Sequence, residues 1–251
     1  MDIKPHKVKQ WIHTPIEDQE KFDSEVSEIC NTYKQASELQ DNSTKIVSCD
    51  EKTGIQALER KITPMNENHC ELVDNSYERH GTQCLIANFD VSTGEVISPT
   101  IRDTRTEEDF KNHIEQTVKT APDASWTFVV DQLNTHMSES LVLLVIMLCG
   151  LTDIDVGKKG KSGILKNMQT RKEFLSNHQH RIRFVYTPKH ASWLNQVEIW
   201  FSILVKRLLK RLSVKSTEEL KAKILDFIRY FNKTMAQPFK WTYKGRALKA
   251  S

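Results

Sequence analysis

Thr187-Pro188-Lys189-His190-Ala191-Ser192-Trp193-Leu194-Asn195-Gln196-Val197-Glu198-Ile199-Trp200 is the stretch around which the chain is organised. A short apolar run, Ile182 to Tyr186, enters it and reads as a strand. Pro188 stops that strand, and an amphipathic helix is expected from Trp193 to about Leu212, with Glu198 in its second turn. Val197, Phe201, Leu204, Leu208 and Leu212 form the apolar stripe, and Lys206, Arg207, Lys210 and Arg211 a basic face. The nearest acids to Glu198 are Glu173 and Glu218. A lone carboxylate among Trp193, Leu194, Val197, Ile199 and Trp200 either faces solvent or has a partner, because an ionised carboxylate is costly to bury alone.

Working outward, two further acids share this setting. Lys45 to Asp50 is a β-branched run ending in a carboxylate, after which Glu51-Lys52-Thr53-Gly54 reads as a turn. Trp126 to Asp131 is a second run ending in a carboxylate, apolar on both faces as a covered central strand should be. Ligands in open α/β sheets gather at the carboxyl ends of strands. Three acids meeting there repel unless a cation sits among them, and hard oxygen ligands suit Mg²⁺ or Mn²⁺. Two such ions clamp the attacking and leaving oxygens of an in-line phosphoryl displacement. Taken singly, Asp50 also fits a turn former and Asp131 a cap. Taken together, such readings leave unexplained why all three junctions carry an acid.

The remaining elements fill in an α/β domain. Glu17 to Gln40 reads as a helix through Phe22, Val26, Ile29, Cys30 and Tyr33. Residues 60–80 are polar and irregular, and Thr82 to Val91 with Glu95 to Arg102 reads as a hairpin. A helix follows from Thr106, with Thr106 and Asp109 as a capping-box variant. Ser138 to Cys149 is apolar nearly all round and is expected to be a buried helix. Residues 150–171 are rich in Gly and Lys, and Glu173 to Asn177 is a short helical piece. A last helix runs from Thr217 to about Met235, before a basic, aromatic tail. The order predicts a mixed sheet with an antiparallel hairpin at one side and helices on both faces.

Composition is that of an ordinary globular chain, 38% hydrophobic and 27% charged over 251 residues. The longest apolar run, Leu141 to Cys149, is far short of a membrane span, and Met1 to Pro5 lacks the apolar core of a secretory signal. Five scattered cysteines without a CxxC read as reduced thiols of a cytoplasmic protein, with no zinc site. Net charge of +3 conceals a split: residues 1–125 carry 14 Lys/Arg against 24 Asp/Glu, and residues 126–251 carry 22 against 9. The basic half suits a polyanion, or is simply a solvated basic face. Lys158, Lys159 and Lys161 lie in the glycine-rich stretch, where they suit a mobile DNA-contacting loop or plain solvation. His136 and His190 fit either phosphate contact and support of the acids, or a structural role. Trp193 and Trp200 read as core.

CDEKTGIQALER, FVVDQLNTH and YTPKHASWLNQVEIWFSIL closely resemble the three acidic motifs of bacterial insertion-sequence transposases related to the mariner superfamily. The resemblance runs from about residue 14 to the end. It implies an RNase H-like (retroviral-integrase-like) fold and a DDE triad falling on Asp50, Asp131 and Glu198, each both catalytic and metal-binding. It implies two Mg²⁺ or Mn²⁺ ions, cleavage of double-stranded DNA at the transposon ends, and strand transfer of the freed 3′-hydroxyl into target DNA, typically at TA. Beside that triad, Asn134, His136 and Asn195 are expected as supports behind the acids, and Lys158, Lys159, Lys161, Lys189, His190, Lys206 and Arg207 as DNA contacts. A homodimer joining two ends, at work in the bacterial nucleoid, completes the expectation. A nuclease that cuts without joining, and an inactive DNA-binding remnant, are the alternatives. Two departures stand out. Residues 1–13 read as the last turn of a helix-turn-helix region that such transposases carry, leaving 14–251 as the catalytic domain. The 66 residues between Asp131 and Glu198, positions 132 to 197, exceed the family spacing, and 150–171 reads as an insertion.

Overall fold

The computed structural model describes residues 18–38, 43–67, 70 and 72–243. The predicted remnant at 1–13 lies outside these residues. The chain forms α1 (Gln19–Glu38), β1 (Thr44–Glu59), β2 (Ile62–Thr63), β3 (Leu72–Val73), β4 (Glu78–Asp90), β5 (Val96–Arg102), α2 (Glu107–Val118), β6 (Ser125–Val130), α3 (Glu139–Cys149), α4 (Met168–Leu175), β7 (Ile182–Tyr186), α5 (Val197–Arg207) and α6 (Thr217–Thr234).

One five-stranded sheet organises them, in the order β5-β4-β1-β6-β7. β4 runs antiparallel to β1 and β5 antiparallel to β4, while β6 and β7 continue parallel from β1. This is the mixed sheet expected from the sequence. β6 has a parallel neighbour on each side, which is why both its faces are apolar. α2, α3 and α4 cover one face, where Phe110, Ile114, Leu141, Val145 and Leu175 pack on Val47, Phe128, Val130 and Phe184. On the other face α1 packs Val26, Ile29 and Tyr33 against Ile46, Val129 and Val185. Beside it α5 and α6 pack Val197, Trp200, Phe201, Ile224 and Phe231 on Leu85, Ala87 and Phe89.

Four local expectations are corrected. The chain does not turn away at Glu51–Gly54. Gly54 takes a left-handed conformation (φ 68°), the register shifts between Lys52 and Ile55, and β1 continues to Glu59 beside β4. The glycine absorbs an extra residue as a bulge, so the strand bends instead of ending. α5 is shorter than predicted. Ser192–Leu194 is a 3₁₀ turn, Asn195 is extended, and Glu198 lies in the first turn. α3 is not buried all round, since Leu143 and Met147 are exposed. Trp193 is 50% exposed, whereas Trp200 is core as expected. The described residues of the 60–80 stretch are mostly irregular apart from the two-residue pair β2–β3, and its last three residues, from Glu78, already belong to β4. The capping box at Thr106 and Asp109 is present.

Candidate active site

The parallel register sets the geometry of the acids. Ser48 of β1 pairs with Val129 of β6, so Asp50 and Asp131, each two residues further on, come level with one another. Asp50 is almost wholly buried, and Asp131 is half-buried just past the end of β6. Burial pushes the Asp50 carboxyl up to about 7, and the nearby charge of Asp131 adds to the shift. Asp50 accepts hydrogen bonds from the Glu51 backbone N–H at 2.7 Å and from Asn195 Nδ2 at 3.2 Å.

Asn195 joins the helix that carries Glu198 to the strand that carries Asp50. Its amide also donates to the Cys49 carbonyl at 3.0 Å, and its Oδ1 accepts from the Ser48 hydroxyl. The Ser48 hydroxyl in turn accepts the Val197 N–H at 2.8 Å. Tyr33 of α1 donates its hydroxyl to the Leu194 carbonyl at 2.9 Å. Fully buried polar groups must be satisfied in this way, and the result fixes where α5 starts. Glu198 is exposed there, in the first turn, where the helix dipole favours an anion. Its carboxylate does not converge with the two aspartates on one point. Among the described residues, the group of three potential ligands whose donor atoms lie within 4.8 Å of one another is Glu59, Glu78 and His80, elsewhere on the β1–β4 ribbon.

His136 stands behind the aspartates. Its Nδ1 lies 2.7 Å from Asp131 Oδ1 and its Nε2 3.2 Å from Glu51 Oε2. Burial disfavours charge on this ring, but the bonds to Asp131 and Glu51 outweigh it and raise the imidazole to about 10. For Asp131 burial again opposes charge, and the His136 hydrogen bond reverses the balance and holds the carboxyl low. The Leu133 N–H also donates to Asp131, at 3.0 Å. Phe110 packs on the His136 ring, and the Tyr186 hydroxyl donates to the His136 carbonyl at 2.8 Å. Glu51 was not foreseen. Its strand position was hidden by the apparent turn, although its place next to Asp50 was visible.

The other named residues scatter. Asn134 is exposed at the start of a 3₁₀ turn, and among the described residues no hydrogen bond joins its side chain to the acids. Lys158, Lys159 and Lys161 are exposed on the glycine-rich loop. Lys159 pairs with Glu139 at 3.4 Å in the first turn of α3, so this loop returns to the rim where β6 ends. Lys189 and His190 are exposed between β7 and α5, with His190 left-handed at φ 63°. Lys206 and Arg207 lie in the last turn of α5, roughly 12 Å along the axis from Glu198 at the usual rise per residue.

The donor set suits a hard divalent cation. All three acids offer oxygen, and the charge of Asp131, which adds to the effect of burial on Asp50, is what a cation between the two would offset. Cys30, Cys49, Cys70, Cys84 and Cys149, the described cysteines, form no disulfide. No described helix is long and apolar enough to cross a membrane.

The sequence pattern of the DDE superfamily endonucleases matches residues 45–147 and 164–221, which include all three acids. No curated protein matches. Among solved structures, the Mos1 mariner paired-end complex with Mn is similar at a TM-score of 0.52 and 13% identity, covering 89% of this chain and 59% of that one. The Mos1 transposase paired-end complex with the left transposon end gives 0.51 and 14%, covering 91% and 59%. A pre-cleavage Mos1 transpososome gives 0.51 and 14%, covering 91% and 60%. The chain thus spans about three-fifths of the length of these proteins. The likeness shows a common fold, the RNase H-like mixed sheet flanked by helices.

Proposed function

This chain belongs to the DDE superfamily endonucleases, and from that membership we propose that it is the catalytic domain of a DNA transposase. The observation that carries the reading is the levelling of Asp50 and Asp131 on adjacent parallel strands, with Glu198 tied to the same strand through Asn195. Asp50, Asp131 and Glu198 are the residues that would hold divalent metal, Mg²⁺ or Mn²⁺. A pair of such ions, when bound, would activate the attacking oxygen and neutralise charge on the leaving one. Asn195 holds the Asp50 carboxylate in place, and His136 does the same for Asp131. Water attacks phosphorus at a transposon end, the P–O3′ bond breaks, and a 3′-hydroxyl is released. That hydroxyl attacks a phosphodiester of target DNA, forming one P–O bond as another breaks.

Lys158, Lys159, Lys161, Lys189, His190, Lys206 and Arg207 supply cationic contacts to the DNA backbone, which positions a duplex without reading it. Residues 14–251 form one catalytic domain on this reading, with 150–171 inserted. The break in the family match at 148–163 supports the insertion. Two copies act together to join two ends, where the DNA lies in the bacterial nucleoid.

Nicking of supercoiled plasmid by the purified protein tests the reading. Cleavage should require Mg²⁺ or Mn²⁺ and should vanish in Asp131→Asn. Joining of an oligonucleotide bearing a free 3′-hydroxyl to the plasmid separates a transposase from an enzyme that only cuts. Bound DNA that is never nicked would overturn the catalytic assignment.

A further inference from the structure

At the end of the sheet opposite the acids, where β1, β6 and β7 begin, lies a cavity of about 350 Å³. Thr44, Ser125, Thr127, His180, Arg181 and Arg183 line it. Arg183 sits on β7 opposite Thr127. It is partly buried, and its Nη1 is sealed from solvent without a hydrogen-bond partner. No carboxylate lies within ion-pair distance of it among the described residues, and Glu28 acts on it only from further away. Glu28 is itself within 3.9 Å of His178, and Glu38, which also lines the cavity, is within 3.8 Å of Lys34.

Arg181 is held rigidly but not neutralised. Its guanidinium donates to the carbonyls of Pro122 at 2.8 Å, Ala124 at 2.7 Å and Leu148 at 2.9 Å. His180 adds a sealed, unpartnered Nδ1. Arg183 is only partly withdrawn from water, and a cation so placed, with one donor left unpaired, is favoured by a nearby anion. Here the fold spends Arg181's donors on carbonyls and leaves Arg183 facing a cavity edged with hydroxyls.

We propose that this cavity binds a phosphate group, held by Arg183 with Arg181 as a fixed second positive charge. A guanidinium fork matches phosphate as it does carboxylate, and the hydroxyls of Thr44 on β1 and of Ser125 and Thr127 on β6 offer donors for the further oxygens that a phosphate carries. Asp50 is six residues along β1 from Thr44, roughly 20 Å at the usual strand rise, so the phosphate bound here is not the one being cleaved. It comes either from free phosphate or from the backbone of a DNA strand lying against this rim.

Thermal unfolding and titration calorimetry of the whole chain with sodium phosphate, against sodium chloride at matched ionic strength, test the site. Phosphate should raise the unfolding temperature of the wild type beyond chloride, and Arg183→Met should lower phosphate affinity roughly tenfold or more. Without phosphate, Arg183→Met should unfold at no lower temperature than wild type, and Arg183→Lys should keep part of the response. If phosphate is inert but Arg183→Met weakens binding of a short DNA duplex to the same degree, the phosphate is a backbone phosphodiester. Equal phosphate and duplex binding by wild type and Arg183→Met would overturn the site, as would a large loss of stability in the phosphate-free Met variant.

Discussion

At the residue scale, Asn195 is the hinge of the proposed chemistry. It touches no reacting atom, yet its amide fixes one Asp50 oxygen and its position starts the helix of Glu198. Groups that orient metal ligands are typically worth about 10–100-fold in activity or metal affinity. Asn195→Ala should therefore lower metal-dependent nicking by about that factor, with more metal needed for half-maximal rate. A nicking rate equal to wild type at every metal concentration would remove Asn195 from the site. His113 makes a different prediction. Its ring is fully buried, with Asn88 Nδ2 and Thr100 Oγ1 each 2.8 Å from a ring nitrogen. Burial, with a smaller push from the charge of His136, lowers it from 6.5 to about 3. The unfolded chain therefore takes up a proton before the folded one does. The stability this group contributes is complete above pH 6.5 and is lost as pH falls towards 3. Urea unfolding across that range should show wild type losing more stability than His113→Gln, and parallel curves would contradict it.

At the element scale, the mixed sheet with its hairpin and the long helices were legible, because hydrophobic period and turn chemistry are local, whereas the short helix expected at Glu173–Asn177 begins earlier, at Met168. β6 announced itself by its unbroken apolar run, and α2 by its capping box. What was misread was set by distant partners. Gly54 looks like a turn in isolation, and only pairing with β4 makes it a bulge inside β1. Asn195 sits inside what reads as helix, and only the β1 groups that its amide binds pull it into extended backbone. Of the candidate site, the junctions that carry Asp50, Asp131 and Glu198 were visible as strand and helix ends, but the Glu51–His136–Asp131 chain spans positions 51 to 136 and has no local signature. Gly94, between β4 and β5, shows the same dependence on remote contacts. It is left-handed at φ 76°, and a Cβ there would lie 2.1 Å from the backbone of Gln237. Gly94→Ala should cost roughly 2 kcal/mol or more in chemical denaturation, from strained backbone and overpacking together. A neutral substitution would mean that the 237 segment does not stay on the turn.

At the scale of the whole molecule, charge is divided along the chain, with the excess of Lys and Arg in residues 126–251. Backbone-dominated DNA binding releases counterions, so affinity for a duplex should fall roughly tenfold or more between 50 and 200 mM salt. Replacing Lys158, Lys159 and Lys161 together with Gln should make the slope of affinity against salt shallower, with little change in stability because all three are exposed. An unchanged slope would exclude the loop from the DNA footprint.

The hydrogen bond between Ser48 and Asn195 spans 147 residues of sequence. A ribosome making this chain must therefore release β1, β6, β7 and the start of α5 before Asp50 can meet its partner. Until then a nascent chain carries Asp50 and Asp131 but neither Asn195 nor Glu198. On the proposed reading, a half-made protein cannot cut the chromosome beside which it is being translated.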